Sequence, residues 1–255
     1  MIITSVSNPK IKELLSLKDK KARKAQGVFL AEGINLVKDI PCDAVIRTYI
    51  IGEHVNPNFS LREGAEILRV SDTVLKKLSD VEAPQGIFAV VEIKAGRIDP
   101  NFDAIVLDRV RDPGNVGTIL RSAAAFGFFN AVLIDCADVY SPKVVRSSMG
   151  GGFRLNLIEA EEKQVRELLP VNNYEIFSLD MRGTDILKAD FSKTKRHALI
   201  VGNEADGVSP SLSSIGKTLS IKMENGVESL NAAAAAAIAM FVAHGNVTLH
   251  PLLSI

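Results

Sequence analysis

Three short stretches of the chain concentrate residues able to bind a ligand or move a proton. The first runs Leu107-Asp108-Arg109-Val110-Arg111-Asp112-Pro113-Gly114-Asn115-Val116-Gly117-Thr118-Ile119-Leu120-Arg121-Ser122, from an apolar run through a Pro-Gly turn into a helical pattern. The second, Leu199-Ile200-Val201-Gly202-Asn203-Glu204, ends another apolar run on a glycine, an amide and a carboxylate. The third, Leu219-Ser220-Ile221-Lys222-Met223 and then Ser229-Leu230-Asn231, precedes an alanine-rich stretch. Each places polar groups where an apolar strand would end, and ligands of open α/β sheets bind at the carboxyl ends of strands. A helix beginning at or near Asn115 offers free backbone N–H groups to an anion, and Arg121 follows within two turns. Gly202 lets the backbone approach a ligand closely or take an unusual φ. Ser229 reads as the N-cap of the last helix, with Asn231 in its first turn. Taken singly, each stretch has an ordinary explanation as a cap, a surface arginine or a turn.

The elements that must position these residues follow from periodicity. Asn8 to about Ala25 carries Ile11, Leu14, Leu15 and Leu17 at helical spacing and is broken by Gly27. Strands are predicted over 28–31, 44–51, 66–70 and 87–93, with short helices over 33–40 and 73–78, making a small α/β domain over residues 1–93. Lys94–Asp103, with Gly96, Pro100 and no apolar period, reads as a linker. From Ala104 onward, apolar strands alternate with helices up to residue 255: strands over 104–107, 131–134, 155–158, 175–179, 198–201 and 219–221, helices over 115–126, 142–149, 161–169 and 230–243. Continuous apolar strands interleaved with helices mean a parallel sheet covered on both faces. No G-x-G-x-x-G follows any strand, so the usual dinucleotide-binding loop is absent.

Bulk properties narrow the class. The formal net charge of the 255 residues is +0, which argues against a large uniform basic field. Residues 1–40 nevertheless hold eight lysines and arginines against four acids. Lys20, Arg23 and Lys24 there mark either a phosphate-contacting surface or a solvated helix face. Cys42 and Cys136 stand far apart without metal-like spacing and read as reduced thiols. His54, His197, His244 and His250 are scattered, so no metal site is assigned. The N-terminus lacks a signal pattern, and the longest apolar run, Ala232–Ala243, is too short to span a bilayer. These features predict a soluble cytoplasmic protein.

Order and spacing say more than any stretch alone. Asn115 with Arg121, then Gly202-Asn203-Glu204, then Ser229-Leu230-Asn231 before an alanine helix resemble the ordered motif set of SpoU-type (TrmH-like) RNA 2′-O-methyltransferases of the SPOUT superfamily. The resemblance covers about residues 104–246. Gly27-Val28-Phe29-Leu30-Ala31-Glu32-Gly33 is similar to the substrate-binding domain that precedes the catalytic domain in many members. The resemblance implies a parallel sheet with a deep trefoil knot, an exception to the usual unknotted topology. It implies S-adenosylmethionine as cofactor, held largely by backbone groups, with contacts from Leu179, Gly202, Ile221, Met223 and Leu230. It implies a catalytic set of Asn115, Arg121, Glu204, Ser229 and Asn231, with Arg121 in the activating role. Lys143 and Arg146 match a segment near the RNA path. A homodimer with the site near its interface is also implied. Ribosomal RNA is the substrate the accessory domain favours. Transfer RNA, a resistance methylation of ribosomal RNA and a non-catalytic RNA-binding protein of the same fold stay open as alternatives.

Overall fold

The computed structural model describes residues 2–191, 195–224 and 229–248, the last three by backbone alone. Residues 249–255 at the end of the expected second domain, His250 among them, lie outside this description. In chain order the elements are β1 (Ile2–Ile3), α1 (Pro9–Ser16), α2 (Lys20–Gln26), β2 (Val28–Glu32), α3 (Ile34–Lys38), β3 (Ile46–Gly52), β4 (Glu66–Val70), α4 (Asp72–Leu78), β5 (Ile87–Glu92), β6 (Ala104–Asp108), α5 (Pro113–Phe126), β7 (Asn130–Ile134), α6 (Pro142–Ser147), β8 (Asn156–Glu159), α7 (Glu162–Val171), β9 (Tyr174–Asp185), β10 (Arg196–Gly202), α8 (Pro210–Ser213), β11 (Lys217–Ser220) and α9 (Ala232–Thr248). Two compact units form, Met1–Lys94 with Asp138–Phe153, and Ala95–Ala137 with Arg154–Ile255.

The first unit is a mixed sheet in the order β1-β4-β3-β5-β2. The single helix expected over 8–25 is two. Asn8 caps α1 by accepting from Lys10 N at 2.9 Å, with Pro9 at the first helical position. Asp19 then starts α2 by accepting from Lys21 N at 2.8 Å and Ala22 N at 3.2 Å. Ile11, Leu14 and Leu17 pack into one face of the sheet with Val28, Leu30, Ile50 and Phe88. The other face is covered partly by α6, which the sequence grouped with the second domain. Val145 of α6 joins Phe29, Leu36, Tyr49 and Ile51 in that core, and the rings of Tyr140 and Phe153 lie 5.0 and 5.9 Å from Phe29. Helical periodicity recognised α6 as a helix but could not say which sheet its apolar face would meet.

The second unit is a six-stranded, wholly parallel sheet in the order β11-β9-β10-β6-β7-β8. Every residue of β6 and β7 is buried, as expected for strands covered on both faces. Residues 95–103 are a packed part of this unit rather than a free linker. A Cβ on Gly96 would lie 2.0 Å from the Leu157 carbonyl oxygen. The buried Asn130 side chain accepts from Asp99 N at 2.9 Å and donates to the carbonyls of Asp99 (2.8 Å) and Phe102 (3.0 Å). Because a polar network rather than an apolar period holds the segment, hydrophobic patterning missed it.

Two departures shape the end of the sheet. β9 runs twelve residues where five were expected. Its register with β11 jumps from Ser178↔Thr218 to Thr184↔Leu219, so residues 179–183 leave the ladder as an excursion. Gly183 closes it, since a Cβ there would fall 2.5–2.7 Å from the backbone of residues 218 and 219. After β11 at the sheet's edge, the chain returns to lay α9 along α5 and against β10. The buried alanines 232, 233, 236, 239 and 243 permit that close approach.

Candidate active site

The β9 excursion and the carboxyl ends of β10 and β11 enclose a cavity of about 330 Å³. Leu179, Gly202, Ile221, Met223 and Leu230, the five residues expected to contact a cofactor, all line it. Glu204 and Ser229 line it as well. The walls also include Met181, Val201 and Leu219, and the carboxylates of Asp180, Glu204 and Asp206 stand among the lining residues. Asp180 is held below the usual carboxylate range, first by the Arg182 backbone N–H (2.9 Å) and then by the Arg182 guanidinium (3.2 Å). The size falls within the range of small-molecule sites.

The loop after β10 explains Gly202. Its φ is not positive; a Cβ would lie 2.0–2.2 Å from the backbone of Gly207 and Val208. The crossing loop alone therefore requires glycine here. Asn203 Oδ1 accepts from Ala205 N and Asp206 N, both at 2.8 Å, and fixes the turn that presents Glu204. The buried carboxylate of Asp108, at the end of β6, anchors the loop's far side by accepting from Ser209 N at 2.7 Å. It also accepts from Arg109 Nε at 2.9 Å and Nη2 at 3.1 Å. Arg109, at φ +57°, has its pKa raised chiefly by that hydrogen bond. The sequence signal for Asp108 was a carboxylate ending an otherwise apolar strand, and such a group needs partners when buried.

Three of the expected catalytic residues meet in one hydrogen-bonded chain. Asp112, not Asn115, caps α5, accepting from Asn115 N at 2.8 Å. This leaves the Asn115 side chain free to reach other segments. Asn231 rather than Ser229 caps α9, its Oδ1 accepting from Ala233 N (2.9 Å) and Ala234 N (3.3 Å). With its oxygen so fixed, Asn231 presents Nδ2 as a donor to Asn115 Oδ1 at 2.9 Å. Asn115 must then turn its own Nδ2 outward, and it donates to Glu204 Oε1. Helix capping therefore sets the polarity of the chain and fixes Glu204 as an acceptor. Ser229 is exposed at the cavity wall.

Arg121 stands apart from this chain. It lies six residues along α5 from Asn115, about 9 Å along the axis and turned by about 120°. It is exposed, and no hydrogen bond or ion pair holds it among the described residues. On the surface of α9, Ile238 and Phe241 are 39% and 57% exposed, and Phe241 packs edge-on to Phe126 of α5 at 5.9 Å.

The first unit corrects part of the expected RNA surface. Arg23 is 3% exposed; its Nη1 donates to Leu17 O at 2.6 Å and its Nη2 pairs with Asp138. It is a structural cation, not a phosphate contact. Arg146 pairs with Glu32 at 3.3 Å, its side chain 29% exposed. Lys20, Lys24 and Lys143 are exposed. His54, read as isolated, sits with Glu53 and Asp72, their ligand atoms within 4.8 Å; all three are exposed, and nothing else there points to an ion. Among the described residues no helix is long and apolar enough to cross a membrane.

A parallel α/β sheet with a ligand-sized cavity at its strand mouths, closed by a helix that returns across the sheet, defines a SPOUT-type methyltransferase fold. Residues 104–241 match the SpoU rRNA Methylase family, and residues 8–89 the MRM3-like substrate binding domain. The chain belongs to the SpoU rRNA methylase family. It is 28% identical to the 23S rRNA (guanosine(2553)-2′-O)-methyltransferase of Bacillus subtilis over 95% of this chain and 99% of that protein. An AdoMet-bound rRNA methyltransferase from Sinorhizobium meliloti superposes with a TM-score of 0.87, at 27% identity over 99% of this chain and 98% of that one. The SpoU methyltransferase AviRb from Streptomyces viridochromogenes, solved with AdoMet, gives 0.82 at 27% identity over 93% and 97%.

Proposed function

We propose that the protein methylates a ribose 2′-hydroxyl of ribosomal RNA using S-adenosylmethionine. The observation that carries this reading is the convergence of the β9 excursion, the β10 loop and the start of α9 on one cavity beside the Glu204–Asn115–Asn231 chain. The donor set fits the cofactor. Apolar walls suit its adenine, and the carboxylates of Asp180, Glu204 and Asp206 suit a cation. Leu179, Gly202, Ile221, Met223 and Leu230 would hold it. When bound, the sulfonium supplies an activated methyl group.

What remains for the chain is alignment and charge control. A ribose hydroxyl is a poor nucleophile until its proton is shared, so the site must bring it in line with the methyl carbon and stabilise developing alkoxide. We assign that stabilisation to Arg121, which would grip the adjacent phosphate. A guanidinium holds its proton too firmly to serve readily as a base. Glu204, held as an acceptor, is the available proton acceptor, and Asn115 and Asn231 orient it. Arg121 lies away from the cavity's lining, and the exposed apolar surface of α9 invites a second copy. The assembly is accordingly a homodimer that completes each site across α5 and α9, in the cytoplasm. The helix return after β11 supports the knotted path implied by the family resemblance.

The test is incubation of the purified protein with methyl-labelled S-adenosylmethionine and 23S ribosomal RNA. The label is expected on a ribose 2′-oxygen, with stoichiometric cofactor binding by calorimetry. A protein that binds no cofactor, or that labels only bases, refutes the reading.

A further inference from the structure

The first unit contains a second cavity, of about 380 Å³, that the proposed chemistry does not use. Among the residues around it is the Glu32–Arg146 ion pair, whose carboxylate also accepts from Ser79 Oγ. Asn35 and Gln85 bring two exposed amides. Gln85 Oε1 accepts from Ile34 N at 2.7 Å, which leaves its NH₂ end for a ligand. Leu36 and Met149 supply apolar surface.

Met149 is the unexpected member. It is a non-glycine residue at φ +47°, and its side chain is 56% exposed. A methionine in the left-handed region is strained by about 1 kcal/mol or more, and this one gains little burial in return. The left-handed turn there ends α6, and it leaves the thioether exposed at the cavity's edge. A flexible thioether suits a surface that must fit a ligand.

The chemistry of the lining selects the ligand. Glu32 and Asp39 outnumber Arg146, so a phosphate is disfavoured. An inserted apolar side chain would leave the Asn35 amide and the NH₂ end of Gln85 facing it unpaired, which is costly. A flat, neutral group with apolar faces and a hydrogen-bonding edge meets both conditions. Unstacked bases of single-stranded RNA are such groups, read on their edges by amides and carboxylates and stacked on side-chain or guanidinium planes.

We propose that this cavity receives one unstacked nucleobase of the RNA substrate, gripped between Leu36 and Met149 and read by Asn35, Gln85 and the Glu32–Arg146 pair. The inference rests on the RNA substrate proposed above.

The experiment uses the full chain and a short single-stranded RNA carrying one 2-aminopurine, whose fluorescence reports enclosure of that base. Ala83→Trp, at an exposed wall residue, should fill the cavity and weaken RNA binding about tenfold, with unchanged melting temperature and unchanged cofactor binding. A folded Ala83→Trp protein that binds this RNA as the wild type does overturns the proposal. If that variant melts early, Asn35→Ala carries the same test at an exposed side chain, with weaker binding expected and wild-type binding overturning the idea. Wild-type methylation of 23S ribosomal RNA with no effect of either variant on RNA binding sinks the pocket alone. Cavity-dependent RNA binding without any methyl transfer sinks the proposed reaction alone.

Discussion

The two units use charged and polar side chains in opposite ways. In the mixed-sheet unit, cations that looked available in sequence are consumed by structure: Arg23 pairs with Asp138, and Arg146 with Glu32, pinning the 138–153 segment to the first sheet. In the parallel-sheet unit the reverse holds. Asn115 looked like a cap, but Asp112 does the capping and frees Asn115 to reach Glu204. Whether a polar residue can serve a ligand depends on whether the fold has already given it a partner, as for Arg23, or has given its capping duty to a neighbour, as for Asn115.

The contrast can be broken or sharpened by substitution. The largest effect is expected from Arg121→Ala, which should cut methyl transfer by about 100-fold or more while leaving cofactor affinity and melting temperature unchanged. Single-turnover rates beside calorimetry check this, and a wild-type rate removes Arg121 from the chemistry. Arg23→Ala should behave oppositely, costing about 3 kcal/mol of stability because it empties a buried cation site and leaves the largely buried Asp138 without its cation. Denaturant unfolding measures that loss. A fully stable variant with weakened RNA binding would restore Arg23 to the RNA surface.

Asn231 separates its two duties. Asn231→Ala removes the α9 cap and should cost about 1 kcal/mol as well as activity. Asn231→Asp keeps a capping oxygen but loses the Nδ2 donor to Asn115, so it should fold like the wild type and still methylate slowly. Equal activity in Asn231→Asp and wild type would mean that the amide chain positions nothing.

The smallest effect concerns Tyr174, whose hydroxyl meets Asn130 Nδ2 at 3.0 Å and the Phe102 carbonyl at 2.7 Å. Burial pushes its pKa up to about 12. The folded phenol thus keeps its proton where the unfolded one, near about 10, has lost it. Its stabilisation is complete below the unfolded pKa and fades as pH rises through the folded one. Ultraviolet titration should find one tyrosine ionising near 12 in the wild type, and Asn130→Ala should alter that step. A Tyr174 phenol ionising near 10 would contradict it.

Much of this protein was legible in its residue order. Buried parallel strands announce themselves because both faces are apolar, so β6, β7 and β10 fell close to their expected places, and α5 with them. Five of the residues lining the cavity were reached through the family resemblance, which matched their positions in the ordered motifs. Tertiary structure alone decided the rest. Which sheet α6 would cover and whether Arg23 stayed free both depend on contacts between segments many residues apart. Local periodicity carries no record of such partners, since a side chain's pattern fixes the face it occupies but not what that face will meet.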